Sequence, residues 1–203
     1  KRIALFLIIV LASLTACSRD AEETPAPAAT AEAEVSNIGS LRVVKAPVQY
    51  APRETDPPSD LESGEQVDIA PGANIVVMTG GRAEMGWTAF LNQEMLEGTD
   101  VLVSLAEPST RTALIDQATG TARYRVMGAD AADLTVQAGW VKASVDSGPA
   151  DFIVTFVPGN PPSVWIASID GDVSVVEGTI ESPESAAEST VTIAAGEAAG
   201  FAS

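Results

Sequence analysis

Hydrophobic residues fall along this chain in three successive patterns. Residues 3–12 form one uncharged apolar run. Residues 18–36 lose that character and mix Pro, Ala, Thr and Glu with almost no large apolar side chain. Such a composition buries too little surface to offset the entropy of ordering, so it predicts a disordered tether. From about residue 66 short runs rich in Val, Ile and Thr recur, each closed by Gly, Pro, Asn or Asp. That punctuation predicts strands joined by turns.

The predicted strands are 74–79, 82–87, 101–106, 112–116, 121–127, 134–138, 140–145, 152–157, 164–169, 172–177 and 190–195, with an earlier candidate within 38–44. Helical periodicity is scarce; residues 92–96 allow one turn of helix that Gly98 ends. Pro47, Pro52, Pro57 and Pro58 make residues 45–64 read as an irregular covering or long loop. Alternation assigns faces. Ala122, Tyr124 and Val126 belong inside, and Arg123 and Arg125 outside. Residues 152–157 are apolar on almost both sides, which predicts a central strand covered on both faces. The fold class is therefore all-β: a sandwich, jelly roll or wound β-structure of about ten short strands. The expected divisions are residues 1–16, 17–36, an irregular segment 37–65 with one short strand, and a β-domain 66–203.

The first pattern has its own chemistry. Lys1 and Arg2 precede the apolar run, and Leu14-Thr15-Ala16-Cys17 follows it. A cationic start, about ten apolar residues and a small-residue exit make a secretory signal, whereas a spanning helix needs roughly 20 apolar residues. A short buried helix with an ordinary core cysteine is the alternative reading. The tetrapeptide resembles the bacterial lipobox. That resemblance implies diacylglyceryl attachment at the Cys17 sulfur and cleavage just before it, leaving the chain tethered by acyl chains, each buried methylene contributing about 0.8 kcal/mol. Ser18 stands where, in that family, aspartate favours the inner membrane. The resemblance thus implies a periplasm-facing protein of the cell envelope, at the outer membrane.

Composition removes several function classes. Cys17 is the sole cysteine, so no internal disulfide is possible. Histidine is absent, which excludes Ser-His-Asp and Cys-His catalysis and makes a typical catalytic zinc site untenable. The formal net charge of −17 repels phosphates and so argues against nucleic-acid binding. It leaves attraction to a cationic partner open. No phosphate loop or dinucleotide glycine signature occurs. The sequence thus nominates no catalytic residue, no metal ligand and no cofactor.

Several motifs in order resemble the FecR-type domain, named for the ferric-citrate regulator. They are Thr79-Gly80-Gly81-Arg82-Ala83-Glu84-Met85, Leu114 through Gly120 to Tyr124-Arg125-Val126, Gly171-Asp172-Val173-Ser174-Val175, and Val191-Thr192-Ile193-Ala194-Ala195-Gly196-Glu197. The similarity covers roughly residues 64–201. It departs from the family where a Gly-Thr pair is missing before Phe152 and where Ala138-Gly139 replaces Thr-Pro. The resemblance implies a FecR-like β-domain and a hairpin around Gly120. Such regulators capture a sigma factor with a cytosolic segment, for which a chain cleaved before Cys17 has no counterpart.

Asp170-Gly171-Asp172 reads as a tight hairpin turn, since calcium needs six or more oxygens. Trp87, Trp140 and Trp165 read as core, with a ligand platform as the alternative. Glu177, Glu181, Glu184 and Glu188 read as a solvated insertion, and Met78, Met85, Met95 and Met127 as core fillers. Three functions remain: a non-enzymatic binding or scaffold module with an envelope protein or glycan partner, a periplasmic signalling component, and a carboxylate-based polysaccharide enzyme. The last needs a cleft with two acids roughly 5–10 Å apart.

The anchoring expectation is directly testable. Cys17→Ser is expected to shift the protein from the membrane pellet to the soluble fraction on cell fractionation, with no acyl mass at residue 17 by mass spectrometry.

Overall fold

The computed structural model describes residues 37–87, 90–107, 110–128, 133–145, 148–177 and 190–202. Residues 1–36, expected to form a signal and a tether and including Cys17 and Ser18, lie outside them, as do Glu181, Glu184 and Glu188. Sixteen strands and no helix occur among the described residues. The first eight are β1 (Gly39–Lys45), β2 (Val48–Ala51), β3 (Ser59–Leu61), β4 (Gln66–Ile69), β5 (Asn74–Val77), β6 (Arg82–Trp87), β7 (Leu91–Met95) and β8 (Thr99–Glu107). The rest are β9 (Thr112–Val126), β10 (Asp133–Ala138), β11 (Val141–Val145), β12 (Ala150–Val157), β13 (Ser163–Asp170), β14 (Val173–Glu177), β15 (Thr190–Ile193) and β16 (Ala198–Ala202).

They form two sheets around one core. Sheet A runs β4-β1-β6-β7-β9-β12-β13-β16. Sheet B runs β3-β2-β5-β8-β9-β10-β11-β14-β15. Every pairing is antiparallel except β9 with β10. Inward residues of both sheets meet in a single cluster, among them Leu41, Met85, Leu91 and Phe152 from sheet A and Ile75, Val103, Ile115 and Val136 from sheet B. Each strand hides one face and wets the other, so short period-two runs suffice to build the body.

One strand belongs to both sheets. The first half of β9 pairs with β8 and β10, and its second half with β7 and β12. Gly120 sits at the bend with φ of +86°. A Cβ there would lie 2.4 Å from the Thr99 Cα and 2.5 Å from the Gly98 carbonyl oxygen. Only glycine satisfies both the left-handed backbone and that approach. Across the bend, Tyr124 Oη donates to Gln117 Oε1 at 2.9 Å, and Gln117 Nε2 donates to the Gly120 and Val154 carbonyls at 2.8 and 3.2 Å. Burial pushes the Tyr124 phenol far above its ordinary pKa, so it remains a donor.

Several expectations change. The hairpin implied around Gly120 is one fifteen-residue strand, because the glycine bends the chain into the opposite sheet instead of reversing it. Residues 92–96 are not helical: Leu91–Met95 is β7, alternating buried and exposed positions. The stretch expected to be irregular holds β2 and β3, since Pro47 and Pro52 flank β2 without entering it. Asp170-Gly171-Asp172 does take a positive φ of 74° at Gly171. Yet β13 lies in sheet A and β14 in sheet B, so the turn is a corner between layers and not a hairpin. Residues 152–157 do lie inside a sheet, between β9 and β13, but β12 is covered on one face only; Ile153 and Thr155 are half-buried.

Gly120→Ala is expected to lower the free energy of unfolding by about 3 kcal/mol, combining left-handed strain and overpacking. Urea unfolding followed by tryptophan fluorescence measures it.

Candidate functional site

The outer face of sheet A carries an interlocked set of charges, placed there by strand alternation. β6 buries Ala83, Met85 and Trp87 and so turns Arg82, Glu84 and Gly86 outward. β7 buries Leu91, Gln93 and Met95 and turns Asn92 and Glu94 outward. Register then aligns Arg42, Glu84, Glu94 and Arg123 in one row across β1, β6, β7 and β9. The next row reads Ser40, Gly86, Asn92, Arg125 and Asp151.

Opposite charges thus meet as cross-strand neighbours. Arg42 lies 3.4 Å from Glu84, and Arg82 lies 2.7 Å from Glu94 and 3.9 Å from Glu84. Arg123 grips Asp151 with two parallel bonds, Nε to Oδ1 at 2.7 Å and Nη2 to Oδ2 at 2.5 Å. Arg125 adds a third at 3.2 Å. The Arg123 hydrogen bond, outweighing partial burial, holds the Asp151 carboxyl below the usual carboxylate range. The same bond raises the Arg123 guanidinium.

Small residues in the second row leave room beside these charges. Ser40 and Gly86 share a trough of about 360 Å³ whose rim carries Arg42, Gln66, Glu84, Asn92, Glu94 and Arg125. A shallower depression continues past Ser40 and Gly86 to Asn37 and Asp68. A third, about 180 Å³, continues past Glu94 and Arg123 to Leu96, Thr121 and Ile153. The rim is made of planar guanidinium, amide and carboxylate heads with donors and acceptors side by side, suited to a polar ligand surface.

Glu84 and Glu94 face one another across β6 and β7. Both are engaged by Arg82, and Glu84 by Arg42 as well. Each carboxylate thus has a guanidinium beside it, closest for Glu94 at 2.7 Å. Among the described residues no three Asp, Glu, His or Cys side chains are placed to hold a metal ion. Asp170 Oδ1 accepts from the Gly171 amide at 3.0 Å, a turn contact.

The three tryptophans separate. Trp87 is buried, and Trp140 is half-buried edge-to-face with Phe156 at 6.3 Å. Trp165, expected in the core, is 59% exposed: it alternates with buried Val164 and Ile166 and so points to the outer face of sheet A, where its ring lies over Gly200 in the neighbouring strand. Met85 and Met95 are buried, but Met78 is exposed. Glu177 closes β14 instead of opening a loop. Sequence alternation placed Arg123 and Arg125 in solvent correctly. It gave no role to Arg42, Glu84 or Glu94; alternation in β6 and β7 turns the two acids outward, and register brings them together with Arg42.

No family model matches this chain, and no curated protein matches it. Two crystal structures from Parabacteroides distasonis, at 1.65 and 2.50 Å, are described as a "putative anti-sigma factor". Each aligns with a TM-score of 0.47 and 17% identity over 64% of this chain. The chain spans 59% of that protein's length.

The Asp151 pair fixes a pH dependence. Its folded-state pKa lies below the unfolded value of about 3.9, so the unfolded chain binds more protons as pH falls. The contribution is whole above that value and disappears as pH drops through the folded one. Asp151→Asn lacks it. The stability gap between wild type and Asp151→Asn is therefore expected to be largest above the unfolded carboxylate pKa of about 3.9 and to shrink steadily as pH falls below it. Urea midpoints across that range measure it.

Proposed function

We propose that this chain is a non-enzymatic lipoprotein of the cell envelope, held by acyl chains on Cys17 at the outer membrane. Its FecR-like β-domain presents the outer face of sheet A to a periplasmic protein or glycan. The observation that carries this reading is the trough beside Arg42, Glu84, Glu94 and Arg125. In a chain of net charge −17, four of eleven Lys and Arg residues stand on this one face. They pair with Glu84, Glu94 and Asp151, so the patch is close to neutral where the whole is strongly anionic. A polar partner meets the least repulsion there.

Binding in place of catalysis is supported by how the acids are used. Glu84 and Glu94 lie opposite one another in the trough, and each has an arginine beside it, which favours the ionised form of both over a protonated acid. The absence of histidine removes the commonest proton shuttle. A signalling role rests on the sequence resemblance alone.

Photo-crosslinking in intact cells tests the face. A crosslinker at Asn92, in the trough, is expected to capture a partner that one at Thr135, on the outside of sheet B, does not. Arg42→Glu with Arg125→Glu is expected to cut that capture at least roughly tenfold. These side chains are 60% and 45% exposed, and circular-dichroism melts check that the variant, which sets glutamates beside Glu84 and Asp151, still folds. Equal capture from both faces sinks the assignment.

A further inference from the structure

A sheet that does not close has edges, and an unprotected edge is a template for another strand. Three of the four edges here carry protection. β4 presents Gln66 and Asp68, β3 carries Asp60 behind Pro57-Pro58, and β15 is four residues long. β16 differs. Its five residues, Ala198-Ala199-Gly200-Phe201-Ala202, hold no charge and no proline. Among the described residues it pairs with β13 alone.

The free groups of this edge follow from the ladder. Ser168 N donates to Glu197 O at 2.9 Å, and β16 continues from there in antiparallel register with β13. Antiparallel alternation then turns the amides and carbonyls of Ala199 and Phe201 toward β13. Those of Ala198, Gly200 and Ala202 face away. Three alternate residues centred on Gly200 are the set a two-fold axis needs.

We propose that two copies of this chain pair antiparallel through β16, with the dyad at Gly200. Ala198 then lies opposite the partner's Ala202, and Gly200 opposite the partner's Gly200. On the inner side, Phe201 meets the partner's Ala199, a large side chain against a small one, twice over. Phe201 and Ala199 are each only half-buried in the single chain and pack at the margin of its core. On the outer side, Trp165 over Gly200 ends in an exposed ring edge beside the seam. Self-complementarity of size and register is what selects a second copy over an unrelated strand. The uncharged edge is also where two anionic bodies repel least.

Sedimentation velocity of the full chain, purified in mild detergent, tests this over a concentration series. The mass is expected to rise to twice that of the monomer, and to do so at lower concentration as salt screens the net charge. Ala198→Glu with Ala202→Glu sets like charges opposite each other and should leave a monomer throughout. Ala198→Lys with Ala202→Glu sets opposite charges in the same register and should restore the dimer. Both pairs sit on exposed positions, and circular-dichroism melts confirm that each variant folds. A wild type that stays monomeric, a mass growing beyond two, or a Lys/Glu variant no tighter than the Glu/Glu variant overturns the proposal. An edge captured only by another protein's strand does so too.

Discussion

The body of this protein depends on one strand being shared by two sheets. β9 enters as a member of sheet B, bends at Gly120 and leaves as a member of sheet A. Everything else hangs from its two halves: β8 and β10 flank the first, β7 and β12 the second. The bend brings a buried polar group from each layer together, Gln117 from one and Tyr124 from the other. Such groups are costly inside a core unless satisfied. Here the cost is offset only when both halves hold their native register, so the same contact that closes the corner specifies it.

That constraint fixes what the outside can display. Because β7 and the second half of β9 are adjacent, Glu94 and Arg123 are forced into one row, and Asn92 and Arg125 into the next. The trough exists because the following row places Ser40 and Gly86 between longer neighbours. None of these side chains helps much to hold the body together; exposed ion pairs contribute little individually. Their arrangement is a by-product of strand pairing that a partner can exploit. The inner and outer faces of sheet A are thus written by alternate letters of the same strands.

Local alternation made the all-β class legible, along with the outward placement of Arg123 and Arg125. What escaped was non-local. In β9 the buried positions switch from odd (Ala113, Ile115, Gln117) to even (Ala122, Tyr124, Val126) across the glycine. Two strands and a turn produce the same switch, so the sequence reads as a hairpin. The β2 segment was hidden by prolines that stand beside it. Trp165 looked like core because large aromatics normally are; it alternates with buried Val164 and Ile166 and so faces out, and the space for its ring comes from Gly200, thirty-five residues away, lying opposite it. The charged row had the same difficulty: of its members only Arg123 was marked as outward, and Arg42 and Arg123 stand eighty-one positions apart in the chain.

The clustering of arginine on one layer has a consequence for how this molecule meets its surroundings. Most of its surface pushes anionic matter away, while the outside of sheet A is nearly indifferent to it. At physiological ionic strength such fields reach only about 8 Å, so they act in the last moments of an approach. Within that range an uneven distribution of charge favours some orientations of a negatively charged neighbour over others, so encounters are biased before any contact is made.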